Sequence, residues 1–430
     1  CGPNGNADRN APMPALDDIR ALRAQRERTQ PQSRPAADDT DDDESDDPNV
    51  IESGALSHED EMLAMRGTAP FGSSTPAPAR YQEQSAPEAS GWTTKHMQAL
   101  TPIWITHSDE DAEAFCVRFS PDDTLLAAGC GDGVVRVFHT EDGRLAYKLE
   151  ACASGLPTTA VRFRPTSAAS KTRNVLLAAN SDGTVQHWHV TSSRCLHTIT
   201  EEDNQVYALD YAADGLRFAT AGKDYTVRVY DEATKTCVGK LCGGYSKTSQ
   251  GHSNRIFSVK FSASDPNVLV SAGWDNTVQV WDTRAETAIL SFYGPHVCGD
   301  ALDLVGNTLL TGSWRPGHQL QLWNLETGKL ESEVPWRPNA VLHQRGGEEP
   351  CLLYGAQFCK QLGADLVAAG GTGAGEVKIF SRGQQSVVGA MACEGGVYGV
   401  DFSNAGGMLA VAGGDNSIRI CRVPRVDKLR

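Results

Sequence analysis

Downstream of about Leu100 the chain is written in short apolar runs, many alternating with polar residues at period two and broken by Gly, Asp and Asn. That texture predicts brief β-strands joined by tight turns. One couplet recurs: a strand of small residues, a turn that often carries Asp, then an alternating strand ending in an aromatic. It reads LLAAGCGDGVVRVF at Leu125–Phe138, LLAANSDGTVQHW at Leu176–Trp188, RFATAGKDYTVRVY at Arg217–Tyr230 and LVSAGWDNTVQVW at Leu269–Trp281. It returns, more loosely, at Leu309–Trp323, Leu366–Phe380 and Leu409–Cys421. The turn acids Asp132, Asp182, Asp224, Asp275 and Asp415 mark the register, and the first and last stand 283 residues and six repeats apart, about 47 per repeat. A multi-strand unit with that period predicts an all-β, seven-bladed β-propeller. The expected blades run approximately over 112–150, 157–200, 204–242, 252–293, 296–334, 351–392 and 396–423. The seventh lacks a fourth strand, and the unclaimed run Pro102-Ile103-Trp104-Ile105-Thr106 is expected to supply it, closing the ring and hiding its sheet edges.

The first 95 residues differ. They are rich in Pro, Ser, Asp and Gln and hold acids about twice as often as bases; eight of the ten positions from Asp38 to Asp47 are Asp or Glu. Such a segment buries too little apolar area to offset its chain entropy, so a disordered acidic arm is expected. It serves either as a solubilising spacer or as an electrostatic arm for a basic partner, tuned by phosphorylation at Thr40 or Ser45. Leu16, Ile19 and Leu22, with Asp17 and Asp18 before and Arg20, Arg23 and Arg26 after, suit a short helix that forms on a partner. Residues 425–430 read as a tail.

Charge and cysteine content narrow the function. The 430-residue chain carries a net charge of −15, which disfavours sequence-independent binding to nucleic acid. No apolar run approaches the ~18 residues of a membrane span, and the polar start shows no signal peptide. Twelve cysteines without a C-x-x-C pair read as reduced, buried thiols of a cytoplasmic or nuclear protein. No phosphate loop, zinc-protease or serine-hydrolase motif occurs, so no enzyme, cofactor or metal is expected. His187 and His189 flank Trp188 without a third ligand and are expected on the outside of blade two. Gly371-Thr372-Gly373-Ala374-Gly375 belongs to a hairpin turn, and Cys237 and Cys242 lack the second pair a zinc site needs.

The repeats from about Pro102 to Val423 resemble the WD40 family. The fourth is the fullest: Gly251-His252 opens it, Ser271 and Asp275 stand in the middle, and Trp281-Asp282 closes it. The resemblance implies a hydrogen-bonded chain of His252, Ser271, Asp275 and Trp281 that staples the blade. Blade three ends in Tyr230-Asp231 and blade five in Trp323-Asn324; blade five lacks the turn Asp and carries an insertion at Arg315–His318, and blade six has only Gly and Thr in its turn. Blade four is therefore expected to be the stiffest, and blades five and six the loosest. One position per first strand, pointing in this family to the channel mouth, falls on Phe115, Thr159, Tyr207, Phe257, Cys298, Tyr354 and Tyr398. Those rings either plug the channel or receive an Arg or Lys of a partner. Trp274, Trp314 and Arg315, with Lys223, stand in turns on the same side and form an expected contact patch. Arg284 ends a W-D-x-R string resembling that of cullin–RING ubiquitin ligase receptors, where the Arg helps dock the adaptor. The expected role is a non-enzymatic scaffold or complex subunit that binds proteins or peptides, not membrane or nucleic acid. The alternatives are a ligase receptor, a reader of basic peptides such as histone tails, and a ciliary or cytoskeletal component.

Overall fold

The computed structural model describes residues 92–94, 97–107, 112–166, 174–243, 251–336 and 349–424. The acidic run, its phosphorylation candidates, the Leu16–Leu22 stripe and the 425–430 tail lie outside the described residues. Among the described residues seven sheets follow one another in chain order, their strands paired antiparallel and in sequence from the channel outward, except that an extra parallel strand on the sixth and the outermost strand of the seventh come from the N-terminal side. Together they make a seven-bladed β-propeller. Blade four shows the plan: Ile256–Phe261 innermost, then Val268–Gly273 and Thr277–Asp282, with Thr287–Tyr293 at the rim. The second strand of each blade explains the small-residue runs. Leu125–Cys130, Val175–Asn180 and Val268–Gly273 are buried at every position, because neighbouring blades cover both sheet faces. At the rim the covering stops, and Arg194–Thr200 of blade two is exposed at six of its seven positions.

The turns marking the register share one backbone device. Residues Gly133, Gly183, Tyr225, Asn276 and Asn416, each following a turn Asp, all have φ between 60° and 84°. In each turn an oxygen of that Asp accepts the backbone N–H two residues on, from Val134, Thr184, Thr226, Thr277 and Ser417 at 3.0–3.2 Å. The Asp side chain thus fixes the turn while Gly or Asn tolerates the left-handed backbone. Tyr225 is the bulky exception.

The ring is closed from the N-terminal side. Pro102–His107 pairs antiparallel with Ser417–Arg422, setting Trp104 opposite Ile420. The Trp104 indole donates to the Thr140 carbonyl at 2.8 Å, tying blade seven to blade one. The chain joins the propeller earlier than its change of composition suggests. Thr93 bridges to Ser386, and Gln98–Ala99 adds a short parallel strand to the rim of blade six. Trp92 meets Phe380 edge-on at 6.0 Å, and Leu100 is buried in the core cluster shared by blades six and seven.

Two expectations are corrected. His187 does not stud the outside of blade two: it is 1% exposed, lies 3.1 Å from the Glu232 carboxylate of blade three and meets Phe218 edge-on. The Glu232 carboxylate satisfies one ring nitrogen of the buried imidazole; His189 lies beside Ser192. The thiols are not uniformly buried either, since Cys195, Cys237 and Cys242 are exposed on or beside rim strands, where no blade covers them. Among the described residues no helix is long and apolar enough to cross a membrane.

Candidate interaction site at the channel mouth

The inner strands aim one residue each toward the same opening, and the structure brings all seven predicted positions there: Phe115, Thr159, Tyr207, Phe257, Cys298, Tyr354 and Tyr398 line a single open cavity of about 810 Å³, the solvent at its mouth included. Their rings form an almost closed chain. Tyr207 stacks on Phe257 at 4.8 Å and 6°, and Phe257 meets Trp274 at 5.2 Å. Trp274 passes the contact to His296, His296 to Trp314 and Trp314 to Tyr354, at 6.3–6.4 Å. Tyr354 then meets Tyr398 edge-on, and Tyr398 stacks on Phe115, both at 5.4 Å. The chain is interrupted at blade two, where Thr159 donates its hydroxyl to the Val206 carbonyl instead.

Trp274 and Trp314 therefore pack through an intervening imidazole. Both indoles are half-buried and anchored: Trp274 donates to the Cys298 sulfur at 3.0 Å and Trp314 to the Thr372 hydroxyl at 3.4 Å. His296 is held neutral. Burial, then the nearby Arg315 charge, pulls its pKa down to about 4 against the weaker attraction of Asp275. Burial pushes the Cys116 and Cys298 thiols up, so neither offers a thiolate. Lys223 and Arg315 are half-buried outside the cavity wall. Arg284 does not join this group. It follows the strand that runs away from the Trp274 turn, so it stands at the opposite rim, half-exposed and 3.2 Å from Asp282.

Sequence reading missed the floor. In six blades the next channel-facing residue stands three positions after the mouth residue: Arg118, Arg162, Asp210, Lys260, Gln357 and Asp401. In blade five Cys298 and Asp303 are five apart, because Gly299-Asp300 makes an extra two-residue bend before the strand Leu302–Val305. The bend carries Asp300 to Arg118 of blade one, with which it forms an ion pair, and to Arg162 of blade two at 2.7 Å. Arg162 also meets Asp210 at 3.2 Å. Deeper in the channel, Asp401, Asp210 and Asp303 each accept the backbone N–H that ends the next blade's inner strand, at Phe119, Phe261 and Phe358. Those carboxylates also face Lys360 and Lys260 at 3.1–3.9 Å. These pairings cross-link the inner strands and satisfy charges that burial alone would make costly.

Blade four holds its own buried chain. His252 lies 2.7 Å from the Asp275 carboxylate and 2.7 Å from the Ser271 hydroxyl, which accepts the Trp281 indole N–H at 2.8 Å. Burial alone would raise the Asp275 pKa, but the His252 bond and the N–H groups of Ser253 and Thr277 hold it below the usual carboxylate range. Blade three builds a different buried network, centred on a carboxylate. Glu201 stands where His252 does, nineteen positions before the hydroxyl of Thr220, and accepts from that hydroxyl and from Tyr230 at 2.9 Å.

The geometry is that of a closed ring of seven blades with an aromatic-lined mouth. Family comparison agrees with the geometry. The WD domain, G-beta repeat model matches residues 193–231, 243–282 and 385–421, and the model of the anaphase-promoting complex subunit 4 WD40 domain matches residues 96–165. The chain is 27% identical over 157 residues to a guanine nucleotide-binding protein subunit beta of Arabidopsis thaliana, which covers 35% of this chain and 40% of that protein. It is 26% identical over 178 residues to the methylosome protein WDR77 of Xenopus laevis (39% and 50% of the two chains). Over 190 residues it is 27% identical to the nuclear distribution protein PAC1 of Komagataella phaffii (41% and 35%). The match thus spans half or less of each relative's length. The chain belongs to the WD40-repeat β-propeller proteins. Members of this family are in general non-enzymatic interaction scaffolds.

Proposed function

We propose that this protein is a non-enzymatic interaction scaffold, a subunit of an intracellular assembly that receives a segment of a partner protein at the channel mouth. The observation that carries this reading is the chain of eight rings in contact, six of which line one cavity. A ring held this way loses little entropy when it binds, and the half-buried faces of Phe115, Phe257 and Trp274 supply contact area cheaply. Affinity capture with the full chain tests it. Tyr207→Ala and Phe257→Ala should each lower recovery of the captured protein at least several-fold; undiminished recovery with both would refute the mouth as the site.

Arg284 supports a second, separate surface. It is half-exposed on the opposite rim, as an adaptor contact of a cullin–RING ligase requires, and it can engage without blocking the mouth. Recovery of the adaptor that survived Arg284→Ala unchanged would reject this role.

A further inference from the structure

Eight rings follow one another around the mouth, and their chain is open at one place. Its two ends are Phe115 of blade one and Tyr207 of blade three, and between them blade two offers only Thr159. Where consecutive blades both carry a ring at this position, the centroids stand 4.8–5.4 Å apart: Tyr207 to Phe257, Tyr354 to Tyr398 and Tyr398 to Phe115. Phe115 and Tyr207 are two blades apart, so the missing ring leaves room for about one aromatic side chain at ordinary contact distance. Thr159 does not fill that gap. Its side chain is short and half-buried, and its hydroxyl proton is committed to the Val206 carbonyl. The faces still open at the mouth lie toward this side. Phe115 and Phe257 are half-buried and Tyr207, 6% exposed, still lines the cavity, whereas the residues of blades five to seven, Cys298, Tyr354 and Tyr398, are 5–8% exposed.

The lining charges work against a charged occupant of either sign. Asp300 is the one carboxylate among the described lining residues, and it is shared between Arg118 and Arg162. The other lining cation, Arg255, lies over the Trp274 ring, 5.1 Å from its centroid. An inserted Lys, Arg, Asp or Glu would give up its water and find its opposite charges already engaged, which makes its burial costly. The polar lining is turned inward as well: the Trp274 indole donates to the Cys298 sulfur and the Tyr207 hydroxyl to Gln205. An apolar ring loses nothing on these counts and gains a neighbour on each side. Resting on the reading of the mouth as the binding site, we infer that it takes an uncharged aromatic side chain of a partner segment, seated over Thr159 between Phe115 and the Tyr207–Phe257 stack, where it completes the circle of rings.

The test uses the full chain and labelled, end-blocked peptides with Gly-Ser flanks that differ only in a central Phe, Leu, Lys or Glu, read by fluorescence anisotropy. The Phe peptide should bind roughly tenfold tighter than the Leu peptide, the return on two added ring contacts, and tighter still than the Lys and Glu peptides. Thr159→Phe supplies the missing ring from within. It should lower Phe-peptide affinity at least tenfold while the circular dichroism spectrum and the urea midpoint show an intact fold. Phe115→Leu keeps apolar bulk but removes one flanking ring, and should erase most of the Phe-over-Leu preference. Leu-peptide binding as tight as Phe, tightest binding by the Lys or Glu peptide, or a Phe preference that survives both substitutions overturns the inference. So does the failure of every peptide to bind up to about 1 mM. In each of these cases the mouth survives as the site if Tyr207→Ala and Phe257→Ala still lower recovery of the captured protein. Phe-peptide binding that ignores Thr159→Phe, Tyr207→Ala and Phe257→Ala alike overturns the mouth itself.

Discussion

Ser271→Ala isolates the blade-four chain. The position is fully buried, and the lost hydroxyl serves two neighbours: it accepts from the buried Trp281 indole at 2.8 Å and bonds His252 at 2.7 Å. Neither group has water to turn to. An orphaned buried polar group costs about 1–3 kcal/mol, so the pair costs about 2–6 kcal/mol. Ser271→Thr keeps the oxygen. Blades three and five carry Thr220 and Thr311 at the matching strand position, and Thr311 accepts the Trp323 indole at 3.0 Å, so this fold already houses the extra methyl there. The Thr variant should lose under about 1.5 kcal/mol, as a small overpacking does. Urea denaturation followed by tryptophan fluorescence measures both, with a lower midpoint at unchanged slope for Ser271→Ala. Adding Trp281→Phe should cost less in the Ala background than in wild type, because one orphan disappears with its donor. The reasoning fails if Ala and Thr are equally costly, or if Ser271→Ala is neutral.

Other consequences are as direct. His296 has a folded pKa of about 4 against roughly 6.5 in an unfolded chain, so the unfolded state binds more protons between those values. Stability is full above about pH 6.5 and declines as pH falls toward 4, by at most about 3 kcal/mol; His296→Gln should flatten that limb in a pH series of urea midpoints. Tyr225→Asn relieves a left-handed backbone at a residue that is 43% exposed, and should raise the midpoint by about 0.5–1 kcal/mol; a loss would show that the ring earns its place by contact. Leu100→Ala removes a side chain that is 5% exposed between blades six and seven. It should cost about 2–3 kcal/mol, with hydrogen exchange quickening first in the strand Ser386–Ala392.

The propeller was legible because its register is written locally. A turn Asp caps an N–H two residues away, and the next residue is Gly or Asn in four of five turns. The mouth followed from the same register, since counting along each inner strand lands on the residue that faces it, an aromatic in five of the seven blades. The floor was not legible. Asp300 meets Arg118 from 182 positions away, and the bend that delivers it sits in the one blade whose inner strand breaks the common spacing. Blade three hid its staple for another reason. Glu201 replaces an imidazole with a carboxylate that accepts from both Thr220 and Tyr230, so a search for His passes over this network. Trp92 and Leu100 lie at the margin of a polar stretch, where two apolar residues cannot announce that an edge elsewhere awaits them.

The closing strand also sets an order of events. About 310 residues separate His107 from Ser417, its partner at the far end of the ladder. At ~5–20 residues per second of synthesis, Trp104 and Ile105 leave the ribosome roughly 15–60 seconds before their partners Ile420 and Arg419 exist. The strand that closes the circle is thus made long before the strand it pairs with, and a nascent molecule keeps that sheet edge open until its final strand arrives.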